Sequence, residues 1–490
     1  MSVPDPQAQP EVAAEAASSA SASSSSSSPS SSLVRGLGPI ATTSLVVGNM
    51  IGSGIYVVPA GLAETAGPLG LVAWVINTLG YLCLTCVFAD LGGAYPVSGG
   101  LQAFARRAFG DFAALEVGYL YWMCAVIGNA AFLTAFITYL AVLWPGAAAP
   151  LAAFVVSQVL LWGLTLFNAA GVKVGGVVQT VTVICKVVPL LLLSFALFAY
   201  ASLDNLQPFA PHGAGSLLPA VSLVSWLFIG MESVTVPAEE IRGAGKTIRR
   251  AAYTGFAVTC GVYLLVLLSL NLAVPASELA GSASPLAAVA RAKFGEVGAV
   301  IVTIGALVSV AGILNGWLLV TSRMAYATAR DGLAPRGLAR INLRTGTPVT
   351  ALVVSSALTG ALVLLYFGGG LLEIYNFVAL LSTATALVAI GVACLAEIVL
   401  VRREPERFSP QQRRRGPITA GLGLGVVVLM IAGSGIQVIG LTIAAALLPV
   451  PYYFLVVRRS ARAVLARAAG VSPWRAKKPR TKQPARADER

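Results

Sequence analysis

From Leu37 onward, apolar positions arrive in long trains with few polar interruptions. Twelve trains can be marked, at about 39–62, 70–92, 113–143, 150–168, 176–201, 217–240, 250–273, 297–327, 347–366, 371–398, 417–436 and 438–457. Each is near the ~20 residues that carry an α-helix across a bilayer. Backbone groups in lipid must bond within their own segment, so spans of this length predict helices. The expected fold class is all-α and integral to a membrane, with twelve transmembrane helices.

Composition agrees with the pattern. The 490 residues are 57% hydrophobic and only 11% charged, against about 25% charged in soluble proteins. Soluble enzymes, coiled coils and DNA-binding proteins are thereby excluded. The formal net charge of +13 has a topological explanation. With the N-terminus placed in the cytoplasm, 30 of the 33 Lys and Arg residues fall on that side of twelve spans, as the positive-inside rule requires. They include Arg106, Arg107, Arg242, Lys246, Arg249, Arg250, Arg323, Arg330, Arg336, Arg340 and Arg344. An eleven-span count would put one group of loops on the wrong side, so both termini are expected in the cytoplasm.

The body of the chain is expected at 36–457, flanked by an Ala/Ser-rich tail at 1–35 and a basic tail at 458–490. The first tail lacks the basic and apolar regions of a secretory signal and reads as disordered. The second carries eleven Lys and Arg; anionic lipid headgroups account for it, at about 1 kcal/mol per residue, without nucleic acid. Membrane lipids are thus the expected surface partner.

Six cysteines lie in apolar runs, and Cys83 with Cys86 forms a CxxC that has no second pair. His212 stands alone in a polar loop. No metal or cofactor is expected.

Two spans carry interruptions. The first contains Gly48-Asn49-Met50-Ile51-Gly52-Ser53-Gly54-Ile55, with Pro59 after it. The sixth contains Trp226-Leu227-Phe228-Ile229-Gly230-Met231-Glu232-Ser233, with Pro237 after it. Paired interruptions at corresponding places point to inverted repeats with a substrate site at the breaks; glycine-mediated helix packing explains one such motif more easily than two. A broken helix presents N–H groups and a positive dipole end from its second half, which suit a carboxylate. Its first half ends in carbonyls, which suit an ammonium group. An α-amino acid offers both. Ser53, Gly54 and Ile55 would donate to the carboxylate; the carbonyls near Asn49, Met50, Trp226 and Ile229 would face the amine.

At these residues the sequence resembles the amino acid–polyamine–organocation superfamily, and within it the bacterial arginine/agmatine and basic amino acid/polyamine antiporters. The further pieces that carry the resemblance are Ser98-Gly99-Gly100, Ala105 to Gly110, Leu120-Tyr121-Trp122, Ile127-Gly128-Asn129, Gly316-Trp317, Asp331-Gly332-Leu333 and Gly346-Thr347-Pro348-Val349. The resemblance implies a five-plus-five inverted repeat, 39–201 and 217–398, followed by two helices at 417–457, and exchange by alternating access. It also suggests a homodimer.

Carried over by position, Ser53 and Gly54 would hold the substrate carboxylate. Asn129 and the carbonyls of Cys124 and Ala125 would accept from a guanidinium, and Trp317 would stack on it. Trp226 would gate the substrate, Tyr121 would join a distal gate, and Glu232 would serve pH response and release.

Glu232 and Lys186 are the ionisable residues set deep in spans, and such groups are functional candidates. Glu116, Glu373 and Glu397 read as interfacial. Lys186 departs from the antiporter pattern, which has a small apolar residue there. Other branches of the superfamily carry a lysine that stands in for sodium, and first-span carbonyls are its expected partners. Gln102 departs too, replacing a tyrosine.

The leading expectation is an inner-membrane, sodium-independent antiporter for cationic amino acids and polyamines, of the arginine/agmatine type. The second is a proton-coupled permease for neutral amino acids. An intramembrane enzyme would need a nucleophile–base pair or a metal cluster, and the spans contain no His and no clustered carboxylates.

Overall fold

A computed structural model describes residues 36–364 and 370–459, leaving aside the side chains of 172–179. The two expected tails lie outside the described residues, save Arg458 and Arg459. Among the described residues the chain is helical, with only two isolated β-bridges. Within the described residues nine stretches are long and apolar enough to cross a membrane, and shorter apolar helices occupy 214–225 and 349–362. The stretch at 39–94 contains both the first and second expected spans.

The first span divides into α1 (Pro39–Met50) and α2 (Ser53–Ala66), and α3 (Gly70–Ala94) follows. The expected connection at 93–112 instead contains a short amphipathic helix, α4 (Leu101–Phe109), before α5 (Asp111–Leu143). Then come α6 (Pro150–Ala169), α7 (Val172–Leu197) and α8 (Leu217–Ser225). The sixth span departs from expectation. Only its first half is α-helical; residues 226–231 form turns, followed by single 3-10 turns at Glu232–Thr235 and Ala238–Glu240. Gly230 at φ +118° and Pro237 prevent an α-helix from re-forming.

The second half continues with α9 (Ala244–Ala273), α10 (Ala276–Leu279), α11 (Pro285–Arg330, broken at Gly295), α12 (Val349–Leu362), α13 (Leu371–Arg403), α14 (Pro410–Ala432) and α15 (Ile436–Leu447). α5 lies along α11 and α13 at the centre, and α1 packs against α7 and α9. α6, α14 and α15 turn most of their surface outward. That arrangement suits lipid-facing helices, which need no polar outer stripe.

The Arg-rich connections meet on one face. Arg106 pairs with Asp111 at 2.8 Å and Asp331 at 3.1 Å, Arg107 with Glu404 at 2.7 Å, and Arg330 with Glu239 at 2.9 Å. Leu37 docks there too, its amide donating to the Glu240 carbonyl at 3.0 Å and its carbonyl accepting from the Arg242 amide at 2.9 Å. Arg323 corrects the sequence reading. It lies inside α11 and not in a loop, fully buried against Glu240 at 3.0 Å. The helix continues through Met324 to Arg330, and the ion pair with Glu240 supplies the partner that a buried guanidinium requires.

Candidate functional site

The two breaks meet. α1 stops at Met50 and α2 restarts at Ser53, leaving Ile51 and Gly52 outside helical geometry. A Cβ on Gly52 would fall on the side chain of Ile313, so only glycine lets α11 approach this closely. A Cβ on Gly230 would stand 2.5 Å from the Asn49 carbonyl oxygen, which fixes the distance between the first and sixth spans. Asn49 Nδ2 donates to Ser233 Oγ at 2.9 Å, closing the same junction from the side chain.

A nearly closed cavity of about 10 Å³, on the order of one water in size, lies between the breaks, walled by Asn49, Met50, Gly54, Phe132, Trp226, Ile229, Ile313 and Trp317. Three rings line up across it, with Phe132 centred 5.4 Å from Trp226 and 6.4 Å from Trp317. Trp317 is held by its indole N–H, which donates to the Asn49 carbonyl at 3.1 Å. Trp226 is held on the far side, its indole N–H donating to the Tyr375 hydroxyl at 2.9 Å. That hydroxyl also meets Ser53 Oγ at 3.1 Å. The amides of Ser53, Gly54 and Ile55 open α2 and have no preceding helical carbonyl to bond. Among the described residues, the carbonyls of Trp226 and Ile229 accept no backbone hydrogen bond outside the helices.

Six of the sequence candidates therefore share one cavity wall: Asn49, Met50, Gly54, Trp226, Ile229 and Trp317. The others sit behind it. Ser53 and Ile55 are buried at the start of α2. The Cys124 carbonyl accepts from Ser382 Oγ at 2.7 Å, and Ala125 is buried beside it. Asn129 donates to Thr321 Oγ1 at 3.3 Å, while its buried Oδ1 has no partner among the described residues.

Tyr121 is centred 6.1 Å from Trp317 and donates to Glu232 Oε1 at 2.8 Å. Glu232 is fully buried, and its carboxylate also accepts from the Gly230 amide at 3.1 and 3.2 Å. The carboxylate thus caps the unwound segment and is linked to the cavity through two aromatic rings. Lys186 is fully buried, with Nζ donating to the Gly48 carbonyl at 2.8 Å and the Ile51 carbonyl at 2.7 Å. Both carbonyls belong to the end of α1, where intrahelical partners run out. Gln102 lies on the Arg-rich face, donating to Asp331 at 3.0 Å.

Four contributors were missed from sequence. Tyr263 on α9 places its hydroxyl 2.6 Å from the Met50 carbonyl and 3.0 Å from the Leu227 carbonyl, tying one break to the other. Tyr375 holds Trp226, and Phe132 and Ile313 complete the wall. A tyrosine within an apolar run gives no local signal that separates it from a packing residue.

Over residues 37–457 the chain matches the family model described as amino acid permease. It is 30% identical over 421 residues to the arginine/ornithine antiporter of Pseudomonas aeruginosa, covering 81% of this chain and 86% of that protein. It is 29% identical over 454 residues to the branched-chain amino acid permease BcaP of Bacillus subtilis, covering 88% and 95%. To the arginine/agmatine antiporter of Chlamydia felis it is 23% identical over 446 residues, covering 86% and 89%.

Proposed function

Because the chain belongs to the amino acid permease family of the amino acid–polyamine–organocation superfamily, we propose that it exchanges cationic amino acids and polyamines by alternating access, without sodium. The observation that carries this reading is the junction of two unwound segments at an aromatic-walled cavity. Its topology is a twelve-helix body in an inner membrane, two five-helix repeats at 39–201 and 217–398 plus helices at 417–457, with both termini cytoplasmic. Two copies would associate as a homodimer.

In this reading the amides of Ser53, Gly54 and Ile55 hold the substrate carboxylate at the positive end of α2. The carbonyls of Trp226 and Ile229, with those of Asn49 and Met50, take the ammonium group. Trp317 and Trp226 supply faces for a cationic head, worth about 0.5–2 kcal/mol per cation–π contact. Asn129 Oδ1, without a partner among the described residues, and the carbonyls of Cys124 and Ala125 would take a guanidinium once the wall rings move. Lys186 supplies the positive charge that a bound sodium ion would supply at the end of α1. Glu232, joined to Tyr121, links proton occupancy to the sixth break. The relatives that are named antiporters for arginine with ornithine or agmatine support a cationic substrate.

Proteoliposomes test this. Labelled arginine should enter vesicles loaded with ornithine, agmatine or arginine far faster than empty ones. Equal rates would exclude obligate exchange.

A second reading is a proton-coupled permease for neutral amino acids. It is favoured by the apolar wall residues Met50, Ile229 and Ile313, by Lys186, and by the likeness to a branched-chain permease. It requires uptake into empty vesicles under an inward proton gradient, and loss of that drive in Lys186→Ala.

A further inference from the structure

Glu397 lies on α13, six residues before its end at Arg403. The sequence places it near a membrane boundary, but the side chain is 0% exposed. Neither carboxyl oxygen has a hydrogen-bond partner among the described residues. The backbone of α14 closes over it: a Cβ on Gly416 would stand 2.8 Å from Glu397 Oε1.

The groups around it offer no spare positive charge. Among the described residues, α3 supplies Asp90, also fully buried, and α14 supplies Arg415 as the charged groups that act on Glu397. Arg415 is committed to Asp90, with Nη2 at 3.1 and 3.2 Å from the two oxygens, and to the Tyr253 hydroxyl of α9 at 3.1 Å. Gln412 also donates to Asp90, at 2.6 Å. The remaining titratable neighbours are Cys394 on α13 and Cys83 on α3, with Cys86 beside Tyr253. None of them is basic. One guanidinium therefore serves two buried carboxyls, and Asp90 has it.

A buried carboxylate with no donor and no counter-ion is strongly disfavoured, and a second anion beside Asp90 adds repulsion. A proton removes both costs. We propose that Glu397 is a proton-binding site, protonated in this conformation and ionised only when Arg415 turns from Asp90 to it.

The position gives the proton a consequence. α3 grips the sixth span, since Asn77 Nδ2 donates to the Val221 carbonyl at 2.9 Å and Tyr81 stacks on Phe228 at 5.0 Å. α13 carries Tyr375, which holds Ser53 and Trp226. Glu397 thus sits between the helices that hold the two sides of the cavity. Any change in their spacing alters its surroundings, so proton binding there is linked to that movement. The site itself does not depend on which solute is carried.

Infrared spectroscopy of the purified full chain in lipid nanodiscs tests the site without any transported solute. The carbonyl-stretch band of a protonated carboxyl should be present at neutral pH. Glu397→Gln, of nearly the same shape, should remove one such component, and Glu232→Gln should leave that component in place. Asp90→Asn frees Arg415 and should convert Glu397 to the ionised form at neutral pH. A Glu397→Gln spectrum identical to wild type would overturn the proposal. If that variant fails to fold, Asp90→Asn decides: an unchanged band there would equally overturn it.

Discussion

Gly230→Ala tests the junction of the two breaks most directly. The native φ of +118° excludes ordinary side chains, and a residue forced into such a region costs about 1–3 kcal/mol. The added Cβ would also stand 2.5 Å from the Asn49 carbonyl oxygen. Relief requires one of the two segments to move by roughly 1 Å, beyond what a packed interior absorbs without loss. Both segments are bonded in place. The Asn49 carbonyl accepts from Trp317, and the Gly230 amide donates to Glu232. Weakening one such bond adds about 0.5–1.5 kcal/mol.

The total is roughly 2–4 kcal/mol, or about 30- to 700-fold if all of it appears in substrate affinity. Part of it can appear as lower thermal stability instead, so both are measured: the substrate dissociation constant by calorimetry, and the melting temperature in detergent. Gly163→Ala on α6 is the control, because its Cβ meets nothing within 4 Å. A Gly230→Ala protein that binds within twofold of wild type and melts at the same temperature would refute the close approach of the two spans.

Other consequences follow from the same geometry. Lys186→Met removes a cation that holds two orphan carbonyls of α1, with charged hydrogen bonds worth about 1.5–3 kcal/mol each set against relief of a buried charge. The net expectation is roughly tenfold weaker substrate binding in scintillation proximity assays, with no rescue by sodium. Breaking the buried Arg323–Glu240 pair with Arg323→Met should cost about 3–5 kcal/mol, read as a large fall in melting temperature.

On the Arg-rich face, the Arg107 guanidinium holds the Glu404 carboxyl below the usual carboxylate range. A depressed folded pKa gives stability that is present above the unfolded value of about 4.3 and is lost as pH falls through the folded one. Hydrogen exchange at 95–110 should therefore rise in acid, and Glu404→Gln should flatten that dependence.

Much of the fold was legible because lipid removes alternatives. A long apolar train has no stable spanning form except a helix, so most span limits fall within a few residues of those observed. The sixth span was not, since apolarity says nothing about whether a helix restarts after Gly230 and before Pro237. Site residues were legible where the sequence broke a rule: glycines flanking a serine, or a charge at mid-depth. Tyr263, Tyr375 and Phe132 broke no rule, and their roles come from partners about 36 to 322 residues away in sequence. Glu397 misled for the opposite reason. Its nearness to Arg402 and Arg403 suggests an interface, but α14 and α3 cover it.

The hydrogen bonds within the site also bear on why exchange would be favoured over net transport. The carbonyls of Asn49 and Met50 already accept from Trp317 and Tyr263, and Ser53 is engaged by Tyr375. Each of these bonds ties one of the two breaks to a helical segment of α11, α9 or α13. Together they hold the cavity small and the breaks in one arrangement. A substrate that brings its own ammonium and carboxylate replaces part of that bonding with bonds that travel with it, lowering the cost of moving the breaks relative to α11 and α13. The empty site must break the same bonds with nothing to replace them. In the proposed exchange cycle the return of an unloaded carrier would then be the slow step, and a second solute on the far side would relieve it. Trp317→Phe separates this account from simple stacking. The ring remains, the bond to Asn49 is lost, and uptake into empty vesicles should rise relative to exchange. A variant in which both rates fall in proportion would show that the indole N–H has no part in holding the empty state.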